Sequence, residues 1–546
     1  MNAAVGARLA DSGRGAGRDP RLDFFRGLAM FIIFVAHVPN DAWALWIPAR
    51  FGFSDATEIF VFCSGMASAI AFGGVFARRG WLMGTARIAH RVWQVYWAHV
   101  GLFLCVAALL YAVDRLQLGL PDKRYVAAVP IVPFFENTGE ALLGLMTLRW
   151  TPNYFDILPM YLAILAMIPA MMALHRLGGR GAVAAAALAV WLAAQLGWAH
   201  LPSRPWAPEI DWFFNPFGWQ LVFFTGFAFG MGWLPAPPVS RALAIAAAAV
   251  LLTALPFAWF KIHQGLYLPA DWALTEAIAR LRAQTEFLWW KSWVGGWRYL
   301  HFLALAYLAW LAAGPAGRRL AAPGRRAAPP AGPGRRMLIA AAAAALATAP
   351  HAYVDEIRAH LPALDALILA LYGEGARALL GFDLFLPAER IGLAQLLHLA
   401  ALATLVWSAL GARGRGWLAA RGWPAAVRVV RKVGSQSLAV FLTSMVLAQA
   451  AGVWLDVAGR SPWTNALVNL TGFAALIATA HAASWFKRQP WRGLPAEPAP
   501  SSAKPAPRPA PLAPRKAQPA PAPARPARSS GPRAMRESCP AAEGRP

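Results

Sequence analysis

The sequence predicts an all-α fold, a polytopic transmembrane helix bundle of about twelve spans with about ten as the fallback. Three observations predict it. The chain of 546 residues is 58% hydrophobic and only 14% charged, where a soluble domain of this size carries about 25% charged residues. Apolar runs of about 20 residues, the length a spanning helix needs, recur along it. Basic residues cluster in every second gap between those runs, as they do on the cytoplasmic side of membrane proteins.

Taken in order, the expected spans are 22–40, 56–76, 92–113, 155–174, 182–199, 217–234, 242–260, 297–314, 337–350, 391–410, 434–455 and 463–485. The ninth is the weakest, because it is short, Ala-rich and closed by Pro350. Loop charge tests the count. The gap after the second span holds Arg78, Arg79, Arg87 and Arg91, and the gap after the fourth holds Arg176 and Arg180. The gap after the eighth holds Arg318, Arg319, Arg325, Arg326, Arg335 and Arg336, and the gap after the tenth runs from Arg413 to Lys432. The alternate gaps are mixed or acidic, as at 351–389 with Asp355, Glu356, Asp365, Glu374 and Asp383. This alternation places both termini in the cytoplasm of a multi-pass protein of a bacterial inner membrane.

The remaining composition narrows the function classes. A net charge of +25 raises nucleic acid as a partner, but the charge lies in short clusters between apolar runs, so the expected partner is the bilayer. Cys63, Cys105 and Cys539 have neither metal nor disulfide spacing, so no metal is expected. The segment 1–20 lacks the apolar core and small-residue site of a cleaved signal peptide. The tail 487–546, rich in Pro, Ala and Arg, cannot bury a core, and its charge suits an anionic lipid surface. No Walker loop appears, which argues against ATP-driven transport.

The polar residues of the first two spans stand out. Asp23 and Arg26 share a helix face. His37 lies eleven residues beyond Arg26 on the same face, about 16 Å along the axis, and Pro39 ends the helix. Ionisable groups inside a span are costly and are functional candidates by default. A plainer reading stands beside it, in which His37 bonds a neighbouring helix and the Asp23–Arg26 pair anchors a helix end. In the second span, Ser54 or Asp55 can cap the helix with Glu58 in its first turn. Two carboxylates at a depth similar to His37 also invite a catalytic reading. A carboxylate orients the ring, and the pair takes the proton of a hydroxyl that attacks a thioester.

The stretch "RDPRLDFFRGLAMFIIFVAHVPND", followed by "FGFSDATEIFVFCSGMASAIAFG", resembles the opening of OpgC proteins. The likeness continues at 153–174, 212–230, 297–308 and 433–447. OpgC proteins are integral membrane acyltransferases associated with succinylation of osmoregulated periplasmic glucans, related to the wider acyltransferase-3 group. The resemblance implies five regions: a cytoplasmic segment 1–20, a membrane core 21–314, an insertion 315–432 carrying a basic linker and two extra helices, the last two core helices 433–486, and the tail 487–546.

The resemblance also implies roles. His37 is the base, with Glu58 or Asp55 as its partner, because the position before it is Ala36 where the family often has an acid. Asp23 and Arg26 shape the donor path or a helix contact. Asn153, Tyr154 and Asp156, with Asn215, Trp219 and Gln220, suit carbohydrate binding, and Arg298, which starts the eighth span from the outer side together with His301, suits an acidic acyl group or a glycan charge. Capping and an interfacial aromatic belt explain the same residues without a ligand. The implied donor is a cytoplasmic acyl-CoA, with no tightly bound cofactor. The acceptor is a periplasmic glucan or related polysaccharide, and glucan-synthesis proteins are further partners. The rival readings are a glycan or lipid-linked-sugar transporter or flippase, which should often show inverted repeats, and a non-catalytic scaffold for glucan synthesis.

Overall fold

The computed structural model describes residues 19–264, 271–320, 334–352, 361–363, 366 and 393–492. The chain divides into two units, Met1–Gln489 and Pro490–Pro546. Of the second, only a short turn at Pro490–Arg492 is among the described residues. The tail beyond it, the N-terminal segment before Asp19, Arg325 and Arg326, and the acids of 351–389 lie outside the described residues.

The described residues are overwhelmingly helical and contain no strand, only an isolated bridge between Pro202 and Asp211. The first helix, α1 (Pro20–His37), is started by Asp19, whose side chain accepts from the Arg21 amide at 2.9 Å, with proline at the first helical position. After a looped segment, α2 (Ala56–Ser68) runs through a π-turn (Ala69–Gly73) into α3 (Gly74–Arg115). Two short helices, α4 (Val132–Glu136) and α5 (Thr138–Met146), precede the long α6 (Ile157–Gln195). Then come α7 (Pro216–Gly230), α8 (Arg241–Ala258) and three small helices, α9 (Phe260–His263), α10 (Ala273–Gln284) and α11 (Glu286–Trp289). The rest of the first unit is α12 (Gly296–Ala313), α13 (Arg335–Ala352), α14 (Leu393–Ala409), α15 (Gly411–Trp417), α16 (Trp423–Ser435), α17 (Ser437–Ala458) and α18 (Pro462–Arg488).

Among the described residues, five helical stretches are long and apolar enough to cross a membrane: Ala56–Arg115, Ile157–Gln195, α8, α17 and α18. The expected count of about twelve spans is not supported. The reasons are physical. Two of the five stretches contain a break, at Gly80 (φ 84°, ψ 174°) and at Gly179 (φ 65°, ψ −161°). Only glycine adopts such angles without strain, so each of these stretches is two helices meeting at a kink, as at Gly179 between the expected 155–174 and 182–199. Helix α7 has only 15 residues, and α1 carries Asp23 and Arg26 within 18. The ninth expected span, 337–350, forms part of α13, which is not among the five.

Bare backbone brings the central helices together. A Cβ on Gly65 of α2 would lie 2.0 Å from the Phe223 carbonyl oxygen, and one on Gly226 of α7 would lie 2.1 Å from that of Phe62. The same reciprocal contact joins α1 to α16: a Cβ on Gly27 would sit 1.9 Å from the Val430 oxygen, and one on Gly434 would sit 1.8 Å from the Asp23 oxygen. Small residues at such crossings are how helices pack where solvent supplies no hydrophobic drive. Around them one apolar core gathers Met30, Phe34, Phe103, Trp219, Phe223, Phe227 and Phe441, all buried. Helices α13 and α14 pack on each other, with Thr348 and His398 hydrogen-bonded at 3.1 Å.

The glycine contacts predict sharp intolerance of any larger side chain. Gly65→Val or Gly226→Val is expected to destabilise the detergent-solubilised protein by at least about 1–3 kcal/mol, seen as a lower Tm in size-exclusion thermal scans. Gly101→Ala, at a position where an added Cβ meets nothing within 4 Å, should leave Tm unchanged. Equal Tm values for all three variants would contradict the packing.

Candidate functional site

The site begins at the end of α1. His37 Nδ1 lies 2.7 Å from the Ile33 carbonyl oxygen. A carbonyl only accepts, so Nδ1 carries the proton and Nε2 is the basic nitrogen of the neutral ring. The chain beyond is pinned down. Asp41 accepts from the Trp43 amide at 3.0 Å and from Asn469 Nδ2 of α18 at 2.8 Å, Arg460 donates to the Pro39 carbonyl at 3.3 Å, and the Pro39 ring packs on Gly452 of α17. Asp456, which binds Lys123 at 2.6 Å and also Arg460, ties this corner to the loop after α3.

Tyr154 meets His37 edge-on, with ring centroids 5.4 Å apart. Its hydroxyl donates to the Met445 carbonyl of α17. Its backbone has φ 93°, a region that costs a bulky residue about 1–3 kcal/mol and persists only where the surroundings enforce it. Strain of this kind clusters at functional sites, and here it falls on the residue facing His37. Beside it, Asn153 is exposed and accepts from the Tyr154 amide, while Asp156 is buried at the start of α6.

The start of α2 holds the carboxylates. Asp55 and Glu58 form a reciprocal capping box, with Asp55 accepting from the Thr57 amide at 2.6 Å and Glu58 Oε2 accepting from the Asp55 amide at 2.7 Å. Each has a second partner from the segment leading into α12. Lys291 Nζ lies 2.6 Å from Asp55 Oδ2, and Arg298 donates to Glu58 Oε1 at 2.7 Å. Arg298 also donates to the Trp289 carbonyl at 3.0 Å. Three residues on, His301 Nδ1 lies 2.7 Å from Ser54 Oγ, and Gly52 packs against the same ring. Burial pushes the Asp55 carboxyl up, but Lys291 and Arg298 beside it outweigh that and hold it well below the usual carboxylate range.

The expected partnership of His37 with Glu58 or Asp55 is not a hydrogen-bonded one in this arrangement. No hydrogen bond joins either carboxylate to the ring among the described residues, because backbone amides and the two cations already occupy their oxygens. Asp55 and Lys291 reach His37 only through space, as a nearby pair of opposite charges. Three other expected ligand-binding residues are committed to backbone. Asn215 caps α7 and donates to the Ala199 carbonyl, Trp219 donates to the Lys291 carbonyl at 3.1 Å, and Gln220 donates to the Ala187 carbonyl at 2.7 Å. Trp219 and Gln220 are wholly buried.

Lys291 was not anticipated, although its signal is present: a lone cation among Trp289, Trp290, Trp293 and Trp297. Two cavities extend from this region. One, of about 290 Å³, lies toward the Arg26 end of α1 and is lined by Arg26, Ser64, Ser68, Arg87, His90, Arg91 and Ser437, with Phe60, Leu158 and Tyr161 as apolar wall. Arg26 donates to Ser437 at the head of α17, and Asp23 is buried one turn before it. The other, of about 610 Å³, opens beside Asn153 and the Trp290–Trp293 segment.

Fold and site together define the class: a helical membrane protein with a saturated polar cluster at one end of its central helices and a basic cavity toward the other. The family model described as "OpgC protein" matches residues 18–370 and 323–488. The chain belongs to the OpgC family. No curated protein and no solved structure matches it.

Two outcomes follow for the cluster. Arg298→Ala leaves the buried Glu58 carboxylate short of a partner and is expected to cost about 3–5 kcal/mol. Adding Glu58→Gln removes that charge, so the double variant should regain part of the lost Tm; a double variant no more stable than Arg298→Ala would refute the pairing. Asp55 has its carboxyl lowered by folding, so its stabilisation is complete above its ordinary value of 3.8 and is lost as pH falls below it. The stability gap between wild type and Asp55→Asn should therefore be constant from pH 7 to pH 5 and narrow only in stronger acid, as read from thermal scans at each pH.

Proposed function

We propose that this protein is a membrane-embedded acyltransferase that moves an acyl group, succinyl being the family's example, from a cytoplasmic acyl-CoA to hydroxyls of a periplasmic glucan. Membership of the OpgC family supports acyl transfer to a glucan. The observation that carries the donor half is the basic cavity, where Arg26, Arg87, His90 and Arg91 converge beside the hydroxyls of Ser64, Ser68 and Ser437. Guanidinium groups suit the phosphates of a CoA, and the wall of Phe60, Leu158 and Tyr161 suits a thioester arm. With Arg78 and Arg79 nearby in sequence, this end is read as cytoplasmic and the His37 end as periplasmic, with both termini on the cytoplasmic side of an inner membrane.

His37 is the base in this reading. The acceptor hydroxyl gives its proton to Nε2 while its oxygen attacks the thioester carbonyl. The carbon–sulfur bond then breaks, and the CoA thiol leaves with the proton returned by the imidazolium. Ile33 holds the ring in the required tautomer, and Tyr154 fixes its plane. Asp55 and Glu58 act as positioning residues for Lys291 and Arg298, whose charges suit the free carboxylate of a dicarboxylic acyl group.

The test is transfer of label from radiolabelled succinyl-CoA to glucan by the full chain in nanodiscs. His37→Ala should lower kcat by about 100-fold or more. Arg87→Ala with Arg91→Ala should raise KM for the acyl-CoA and leave kcat nearly unchanged. Transfer at the wild-type rate in His37→Ala would end the base assignment, and an unchanged KM in the arginine variant would end the donor assignment.

A further inference from the structure

The cleft of about 610 Å³ beside Asn153 and Asn215, two residues the resemblance links to carbohydrate, is within the size range of small-molecule sites. Its walls come from four segments, at 130–133, 150–153, 203–215 and 290–293. Asn153 contributes an exposed amide, Trp290 and Trp293 contribute half-buried indoles, and Ser203, Arg204 and Asp211 supply polar groups around them. The two indoles sit 6.2 Å apart and tilted by 41°, each presenting part of its surface to the same concave space. A belt of aromatic residues at a lipid surface points outward; these line a depression that is also polar.

Two of the walls are continuous with the His37 cluster. Asn153 faces the cleft, and the next residue, Tyr154, is the one whose ring meets His37. Trp290 and Ser292 face the cleft, and Lys291 between them binds Asp55. Both segments are tied to helices, the first through the Tyr154 hydroxyl, which donates to the Met445 carbonyl of α17. Trp191 donates to the Val294 carbonyl at 2.9 Å and Gln195 to the Trp293 carbonyl at 2.7 Å, while the Lys291 carbonyl accepts from Trp219. A molecule lying in the cleft therefore touches the same two segments that bear Tyr154 and Lys291.

We infer that this cleft is a carbohydrate subsite, in which Trp290 and Trp293 carry sugar rings of a neutral glycan and Asn153, Arg204 and Asp211 bind their hydroxyls. The chemistry is that of the lining. Sugar rings have apolar C–H faces that suit indoles, and hydroxyl edges that need paired donors and acceptors. Asp211 lines the cleft and accepts from His200 at 2.9 Å. The inference rests on the glucan reading of the function and deepens it by naming where the acceptor docks.

The experiment measures binding and transfer separately. Full-length protein in nanodiscs is titrated by calorimetry with laminaripentaose, cellopentaose, maltopentaose and sophoropentaose. At least one should bind wild type, and the Trp290→Ala, Trp293→Ala double variant should bind it about tenfold more weakly. Trp293→Phe, which keeps a ring, should bind close to wild type. If the double variant fails to fold, Arg204→Ala with Asp211→Asn on the cleft rim replaces it and should also weaken binding. No binding to any of the four sugars, or undiminished binding by the folded cleft variants, overturns the subsite. Sugar binding without acyl transfer from any acyl-CoA overturns the acyltransferase reading and leaves the cleft standing. Transfer with an unaltered KM for glucan in the cleft variants does the reverse.

Discussion

Glu58 is a fully buried carboxylate, and a charge in that position persists only if every oxygen is answered. The amide of Asp55 answers one and the guanidinium of Arg298 the other. Much else follows from that requirement. Arg298 must enter at the head of α12, which brings the Trp289–Trp297 segment across the start of α2. Lys291 then falls beside Asp55, and His301 beside Ser54. A capping box that would ordinarily serve one helix here locks two helices and an aromatic loop into one arrangement.

His37 depends on a different set of constraints. Its helix ends where Pro39 meets Gly452, and the following loop is fastened to α18 through Asp41 and Asn469. The ring is left facing a tyrosine whose backbone is strained. The cost of that strain is met by the surrounding packing: Phe155 next to it is completely buried against Phe103, and the Tyr154 hydroxyl is tied to α17. Rigidity at this point is what a base needs if its nitrogen is to meet a hydroxyl in a fixed direction. The basic cavity is lined by α1, α2, α3, α6 and α17, and the aromatic cleft by the loops that lead into α6, α7 and α12.

Much of the site was legible because the sequence states it in short-range chemistry. Asp55 and Glu58 three residues apart after Ser54 are a capping signature, and the structure forms the box in full. His37 followed by Pro39 marks a helix end, which is where α1 stops. The carbonyl partners of Asn215, Trp219 and Gln220 were not legible for a physical reason: a buried amide or indole looks the same in sequence whether its partner is a ligand or a carbonyl 72 residues away, as for Trp219 and Lys291. The span count failed similarly. Apolar composition shows where helices exist, but not that Gly80 and Gly179 would each join two helices at a kink, nor that Pro216–Gly230 would stop at 15 residues.

By itself the sequence determined the helical class, the membrane-suited composition, the helix caps and the candidate residues of the first two helices, because each rests on neighbours within a few turns. Only the tertiary structure decided which charge answers which. Asp55 and Glu58 bind Lys291 and Arg298, about 240 residues on, instead of His37. That choice depends on the close crossings of α2 with α7 and of α1 with α16, where glycine lets backbones touch. Pairing of buried charges is a long-range property, fixed by which helices meet and at what depth. The cluster announced by the opening segment was completed by residues that no local pattern connected to it.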